Sequence, residues 1–365
     1  MAVTLGDFVR WFEELIPPAF QESYDNSGLQ VGDLSAAVSS VLLTVDVTPG
    51  VMEEAAAAGC DLVVSHHPLI FRPLRHLVNG NDVQRSVAAA IRNDIAVYSA
   101  HTSLDNSAGG VSHILAEKIG LQDIRVLVPL EGRLSKIVTF VPQEYARVVR
   151  DALFAAGAGV TGNYDRCSFN VTGEGTFRAG EGAEPFAGEV GKDHAEPEVR
   201  IEVVVPSYLV RSCVSALLEA HPYEEVAYDI IALQNGFNGA GAIGRLPHPL
   251  PGEQLLERLK QLTGIPAIRY SGDLQRSLST VALCGGSGSE YIGAAARAGA
   301  DAFLTADIKY HAFAEAPRSM LVADIGHYES EKFSLELLHN LIQKKFPNFA
   351  LRFSETKTNP INFYQ

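Results

Sequence analysis

No C-x-x-C pair occurs among the four cysteines of this 365-residue chain, Cys60, Cys167, Cys213 and Cys284, and most of them sit in apolar runs. That pattern excludes a disulfide framework as the organising element and fits buried free thiols in a reducing compartment. No apolar stretch approaches the ~20 residues that span a bilayer. The opening segment MAVTLGDFVRWFEELIPPAF lacks the basic start and apolar centre of a secretory signal, so a cytoplasmic protein is expected. Positive charge is scarce as well: 29 Lys and Arg stand against 43 Asp and Glu, a formal −14. This balance argues against broad nucleic-acid binding and is compatible with divalent cations.

What remains is a globular composition, 47% hydrophobic and 20% charged, on a chain long enough for two or three domains. From Val41 onward strand-like and helix-like runs alternate: VLLTVDV, then PGVMEEAAAAG, DLVVSHH, DVQRSVAAAIRND and IAVYSA. Such alternation predicts parallel strands with crossover helices. The last third repeats it with STVALCGG, SEYIGAAARAG, ADAFLTAD, MLVADIG and SEKFSLELLHNLIQKKF. AAAAGCDLVVSHH lies over AARAGADAFLTAD, and HTSLD (101–105) over HYESE (327–331). The fold class expected is therefore α/β: a duplicated α/β unit forming one domain, interrupted by a different segment.

That segment, about Leu134 to Leu233, runs β-α-β-β-α-β, the order of a ferredoxin-like α+β domain. NYDRCSFNVTGEGTFRA is expected as hairpin-like strands, GEGAEPFAGEVGKDHAEPE as a surface loop, and QNGFNGAGAIGRLPHPLPG as a linker back. The domain limits are 1–130 and 237–365 for the two halves of the α/β domain and 131–236 for the insert.

The chemistry concentrates at strand ends. His66 and His67 end an apolar strand, and consecutive side chains of a strand diverge. His101 and Asp105 follow the next parallel strand, while His327 and Glu331 follow the corresponding strand of the second copy. Open α/β sheets place their sites at this carboxyl edge. Imidazole with carboxylate suits Zn²⁺, Mn²⁺, Fe²⁺ or Co²⁺. His327 and Glu331, four residues apart, share one face if they open a helix. Asp105 and Glu331 are candidates to bridge two ions. Each residue also has an ordinary reading, as a strand cap, a loop residue or a helix start.

Six segments, YDNSGLQVG, SHHPLIF, SAHTSLDN, CGGSGSE, TADIKYH and GHYESE, occur in an order that resembles the Nif-three-like dinuclear-metal family, many of whose members are named GTP cyclohydrolase 1 type 2 homologues. The resemblance spans the whole chain, including an insert similar to the CutA and PII-like domain of long bacterial members. It implies two divalent ions (Zn, Mn, Fe, Co and Mg are not distinguished) held by His66, His67, Asp105, His327 and Glu331, and a toroidal homohexamer in the cytoplasm. It also implies a hydrolase whose nucleophile is a metal-activated bridging water, acting on a small molecule such as a nucleotide. The alternative is a metal-binding regulatory or scaffold protein whose PII-like insert binds an effector or partner.

His101, Asp307 and His311 are the catalytic candidates. His101 is assigned to orienting Asp105, with an ordinary buried histidine as the alternative, and Asp307 and His311 are cleft polar groups or proton carriers, with a helix-capping alternative for Asp307. The glycines of CGGSGSE either bring backbone N–H groups to an anion or serve a tight turn. His221, in HPYEEVAYD with Glu224 and Glu225, is read as an inter-domain or subunit contact rather than a second metal site.

Overall fold

A computed structural model describes residues 2–235 and 238–364. The chain begins with α1 (Leu5–Leu15), β1 (Gly28–Val31), β2 (Ser40–Thr44), α2 (Pro49–Ala57), β3 (Leu62–Ser65), α3 (Asp82–Arg92), β4 (Ala96–Ser99), α4 (Thr102–Asp105), α5 (Val111–Ile119) and β5 (Gln122–Pro129). It continues with β6 (Leu134–Pro142), α6 (Ala146–Ala155), β7 (Phe169–Arg178), β8 (Asp193–Pro206), α7 (Val210–Ala220) and β9 (Tyr228–Leu233). It ends with β10 (Gly239–Pro251), α8 (Gly252–Thr263), β11 (Arg269–Ser271), β12 (Ser277–Ser287), α9 (Ile292–Arg297), β13 (Ala302–Ala306), α10 (Tyr310–Glu315), β14 (Leu321–Asp324), α11 (His327–Glu331), α12 (Ser334–Lys345) and β15 (Ala350–Phe353).

Two compact units result, residues 1–129 with 237–365, and residues 130–236. Within the first unit, β5 and β10 pair antiparallel with Gly239 opposite Pro129, so the points where the chain leaves and returns are neighbours. No helix among the described residues is long and apolar enough to cross a membrane.

The first unit is mixed α/β with two sheets, ordered β1-β4-β3-β2-β15 and β11-β14-β13-β12-β10-β5. Strands β3, β4, β13 and β14 are buried along their whole length, as strands of a parallel sheet covered on both faces must be. The same arrangement occurs twice. Val41 faces Leu62 and Leu62 faces Ala96 in one sheet; Val281 faces Ala302 and Ala302 faces Leu321 in the other. An antiparallel strand flanks each trio, β1 on β4 and β11 on β14. Asp61 Oδ2 accepts the N–H groups of Ser39 and Ser40 at 2.8 and 2.9 Å, and Asp301 Oδ2 accepts those of Ser279 and Thr280 at 2.9 and 3.0 Å.

The helices exchange sheets. Leu115, Ala116 and Ile119 of α5, from the first half, pack with Val281 and Leu304 of the second sheet. Leu338 and Ile342 of α12, from the second half, pack with Val41, Leu43 and Val64 of the first. Both exchanges bury aliphatic side chains completely, worth roughly 1.5–3 kcal/mol each. They also draw α4 and α11, the short helices that precede them, toward one another.

The expected linker 234–252 is for the most part the 13-residue strand β10; its Gly236 and Phe237 lie outside the described residues. Glycine and proline hide the strand in the sequence, but Ala240, Ala242, Ile243 and Leu246 are buried, and the backbone pairs with β5 on one side and β12 on the other. In the second unit the sheet order is β7-β8-β6-β9, all antiparallel, and α6 and α7 supply Val149, Leu153, Cys213 and Leu217 to a core with Ile137, Ile201 and Val203. The expected hairpin before residue 180 is one long strand, β7, whose partner is β8, with Phe169 opposite Glu202 and Arg178 opposite Asp193. The surface loop is accordingly confined to residues 179–192.

Candidate metal centre

Parallel pairing places the ends of β3 and β4 side by side, and the ladder continues past them: His66 N–H donates to Thr44 O at 3.1 Å, His67 N–H to Val45 O at 2.8 Å and Ala100 N–H to Ser65 O at 2.8 Å. His66 and His67 therefore leave the strand with fixed backbones, their ring centroids 5.1 Å apart. His101 follows β4, with its ring centroid 5.5 Å from each of the other two. From the other half, α11 opens with His327 and carries Glu331 one turn later on the same face. The His327 ring centroid is 5.3 Å from that of His67.

Every one of these imidazoles is held by its Nδ1 atom. The partner of His66 is Ala100 O at 3.1 Å, and of His67 Asp46 Oδ1 at 2.7 Å. His101 is held by Asp25 Oδ1 and His327 by Asp307 Oδ2, each at 2.7 Å. A carbonyl or carboxylate on Nδ1 selects the tautomer with the proton there and leaves the Nε2 lone pair free, the arrangement that surrounds metal-ligating histidines.

The Nε2 atoms of His66, His67 and His327 converge on Glu331. His67 Nε2 lies 2.9 Å and His327 Nε2 3.1 Å from Oε2, whereas His66 Nε2 lies 3.6 Å from Oε1 and 3.8 Å from Asp105 Oδ1. His67 and His327 Nε2 are 3.4 Å apart. Ligand atoms held about 2.0–2.2 Å from one ion lie roughly 3–3.5 Å from one another. The decisive observation is His66, whose side chain is fully buried and whose Nε2 has no hydrogen-bond partner. A buried polar atom without a partner costs about 1–3 kcal/mol, and a cation beside it removes that cost. His66, His67 and Glu331 thus form a cluster that could hold a metal ion.

The glycine-rich turn 284–290 packs against this carboxylate. Gly286 has φ +63°, and a Cβ on it would stand 2.0 Å from Glu331 Oε1. Its N–H donates to Ser330 Oγ at 2.9 Å and that of Gly285 to Ser112 Oγ at 3.1 Å, so these two donors are already committed. Gly286 has the left-handed backbone of a tight turn, one of the two readings of this segment, and packs directly against Glu331.

The charges follow from the packing. Burial pushes the Glu331 carboxyl up, but the imidazoles of His66, His327 and His67 outweigh it and hold the group well below the usual carboxylate range. Burial lowers His67 and His327, yet the carboxylates of Asp46, Glu331 and Asp307 prevail and raise them to about 10 and about 9. Burial raises Asp105 to about 7, with His66 opposing. Burial also pushes Asp25 up, but His101, Thr102 and Ser27 overcome it and keep Asp25 ionised far below the carboxylate norm. In the metal-free protein at pH 8, His67 and His327 consequently each carry a proton that a ligating imidazole must lose. Metal loading at that pH is expected to release about two protons, and affinity to climb with pH until about 9–10. Titration calorimetry in buffers of different ionisation enthalpy measures the number; release of none would contradict the arrangement.

Of the residues singled out in the sequence, His66, His67, Asp105, His327 and Glu331 lie together. Asp307 is beside them as the partner of His327, in a left-handed backbone (φ +55°). His101 does not orient Asp105 through its imidazole; its ring nitrogen is bound to Asp25, because the 25–27 turn packs on the end of β4 and Asp25 also accepts from Thr102 N–H and Ser27 Oγ. His311 is an exposed residue of α10, its ring against Tyr310. His221 is buried and makes its hydrogen bonds within the insert, to Phe140 O and from Tyr223 N–H at 2.9 and 3.1 Å, rather than standing in solvent as expected of a contact residue. Asp25 and Asp46 were not singled out. Asp46, directly beyond β2 and beside the β3 end, could have been found by the rule that sites gather at the carboxyl ends of parallel strands.

Comparison with known proteins agrees over the full length. The sequence model of the family described as Duf34/NIF3 (NGG1p interacting factor 3) matches residues 3–360. A Bacillus subtilis protein named GTP cyclohydrolase 1 type 2 homolog is 38% identical over 363 residues, covering 97% of each chain. A Mycobacterium tuberculosis protein of the same name is 38% identical over 339 residues, covering 91% of this chain and 89% of its own. Among solved structures, a Bacillus cereus protein related to NIF3 is similar at TM-score 0.82 and 37% identity, with both chains covered completely. A Staphylococcus aureus protein is similar at TM-score 0.80 and 28% identity, with 100% of this chain and 99% of its own covered.

Proposed function

This chain belongs to the Duf34/NIF3 family, and from that premise we propose a dinuclear, metal-dependent hydrolase whose centre is built from His66, His67, Asp105, His327 and Glu331. The observation that carries the reading is the division of labour on Glu331: Oε1 faces His66, which also faces Asp105, while Oε2 faces His67 and His327. With one oxygen toward each of two imidazole groups, Glu331 would be the residue that holds both ions. His66 and His67, which leave the strand in different directions, would each hold one of the two ions. Two divalent ions held there would supply an activated water and polarise the bond to be cleaved.

The chain's own groups do the rest. Asp46, Asp307 and the Ala100 carbonyl fix the ligand rings before any ion arrives, which lowers the ordering cost of binding. His101 stands next to the ligand histidines with Nδ1 tied to Asp25, so its Nε2 is available to carry a proton to or from a substrate. Asp25 and His101 are the acid–base pair of this reading. The substrate class, a nucleotide such as GTP, rests on the name carried by the curated relatives.

Metal-stripped protein reloaded with Mn²⁺, Zn²⁺ or Fe²⁺ and offered GTP and a panel of phosphoesters is expected to turn over at least one of them, with loss in Asp105→Asn. Turnover that survives both metal removal and that substitution would sink the hydrolase reading. For the insert we propose a PII/CutA-like module, supported by its β-α-β-β-α-β order and its β7-β8-β6-β9 sheet. A homohexamer is the assembly proposed; Tyr228, Ile230 and Ile231 are exposed on the edge strand β9, apolar surface that a further copy would cover. Light scattering tests it against the 39.3 kDa of one chain.

A further inference from the structure

We propose that the insert carries a binding site of its own for a small organic cation with an aromatic or apolar body, anchored by Glu198. The site is a cavity of about 690 Å³ formed by β7, the following loop and the turn before β9. Its size lies within the roughly 300–1,000 Å³ of small-molecule sites. It is built entirely from residues of the insert and does not depend on the metal reading.

Three features define the ligand. The first is charge. Glu198 lines the cavity although it is only 8% exposed, and its Oε1 accepts a hydrogen bond from Tyr223 Oη at 2.8 Å. Glu174, Glu224 and Glu225 also line the cavity, against two arginines, Arg178 and Arg200. Both arginines are engaged elsewhere: Arg200 pairs with Glu202 at 2.9 Å and Arg178 with Asp193 at 3.0 Å. Glu198 faces this partly open cavity with no ion pair to a Lys or Arg among the described residues, so a bound cation can pair with it.

The second feature is aromatic surface. The Tyr223 ring centroid lies 5.9 Å from that of Phe186 and 6.3 Å from that of Phe177, and all three rings line the cavity with Phe140. Aromatic faces grouped beside a carboxylate bind ammonium groups through their quadrupoles, and their edges accept an apolar body. The third is a vacancy kept for the carboxylate: a Cβ on Gly175 would stand 2.2 Å from Glu198 Oε2. The strand opposite Glu198 has thus no side chain where one would displace it.

Three probes separate the contributions by titration calorimetry on the full-length protein: phenethylammonium, neutral 2-phenylethanol and anionic 3-phenylpropionate. Saturable binding of the cation is expected, at least about tenfold tighter than either of the others. Glu198→Gln is expected to remove about tenfold of the cation's affinity and to leave that of 2-phenylethanol unchanged. Phe177→Leu, which keeps the apolar volume but removes the ring, provides a second variant with a similar expected loss. Equal binding of the neutral probe, preference for the anion, absence of saturable binding at about 10 mM, or full cation affinity in both variants overturns the proposal. Glu331→Gln should leave cation binding as it is, so failure here and failure of the metal centre are told apart.

Discussion

Glu331→Gln is expected to purify folded and with less than about a tenth of the wild-type metal content, because a single carboxylate faces all three ligand imidazoles. Its oxygens lie 2.9, 3.1 and 3.6 Å from the Nε2 atoms of His67, His327 and His66. An amide of the same shape has no charge and replaces one acceptor by a donor, so it cannot serve both sides of the site. Removing one partner from a buried charged group typically costs about 3–5 kcal/mol, and the metal-free variant should be less stable by an amount of that order near neutral pH. The sign of its pH dependence follows from the raised histidines. Groups whose folded pKa exceeds the unfolded value stabilise fully below the unfolded value, near 6.5, and lose that contribution as pH rises through about 9 for His327 and about 10 for His67. The stability gap between metal-free wild type and variant should therefore be widest near pH 6–7 and narrow toward pH 10. Metal analysis of the purified proteins and thermal melts of the stripped forms across that range measure both. A folded variant with full metal content would remove Glu331 from the ligand set.

Much of this centre was legible because its ligands sit where local pattern is strong. Leu62, Val63 and Val64 form a buried strand that any reading of apolar runs finds, and the histidines follow at once. What escaped has physical causes. The helix exchange leaves no local mark, since α5 and α12 would show the same apolar face whichever sheet they covered. It is nevertheless what draws α11 of one half toward β3 of the other, so the joining of the two half-sites was read from matched spacing and family resemblance rather than from packing. β10 was missed because its glycines and prolines depress strand propensity, while its stability comes from pairing on both sides. Asp25 and Asp46 escaped because a lone aspartate at a turn or strand end has several ordinary uses, and only coordinates show an imidazole N–H pointing at it. The carboxylate that holds His101 Nδ1 is hidden for the same reason: Asp105 is near in sequence, whereas Asp25 is 76 positions away.

A residue that ligates nothing should have an effect nearly as large as Glu331. Gly286→Ala is expected to lose most bound metal, and Gly59→Ala none, although the two glycines share a backbone conformation, φ +63° and +64°. At Gly59 an added Cβ meets nothing within 4 Å, so the cost is the left-handed backbone alone, about 1–2 kcal/mol. At Gly286 the same strain is joined by collision with Glu331 Oε1 at 2.0 Å and its Cδ at 3.0 Å, with His327 Nε2 at 3.4 Å. Glu331 cannot step aside within a site where Ser330 is hydrogen-bonded to the same glycine's N–H and the imidazoles are held from behind. The difference between the two variants therefore isolates the eviction of the carboxylate from the shared backbone strain. The double variant Gly286→Ala with Glu331→Ala sharpens the test, because truncating the glutamate removes the atoms in collision. Its destabilisation should fall short of the sum of the two single effects by about 1–3 kcal/mol, the coupling expected of side chains in direct contact. Additive effects, or full metal content in Gly286→Ala, would show that the turn does not seat the ligand.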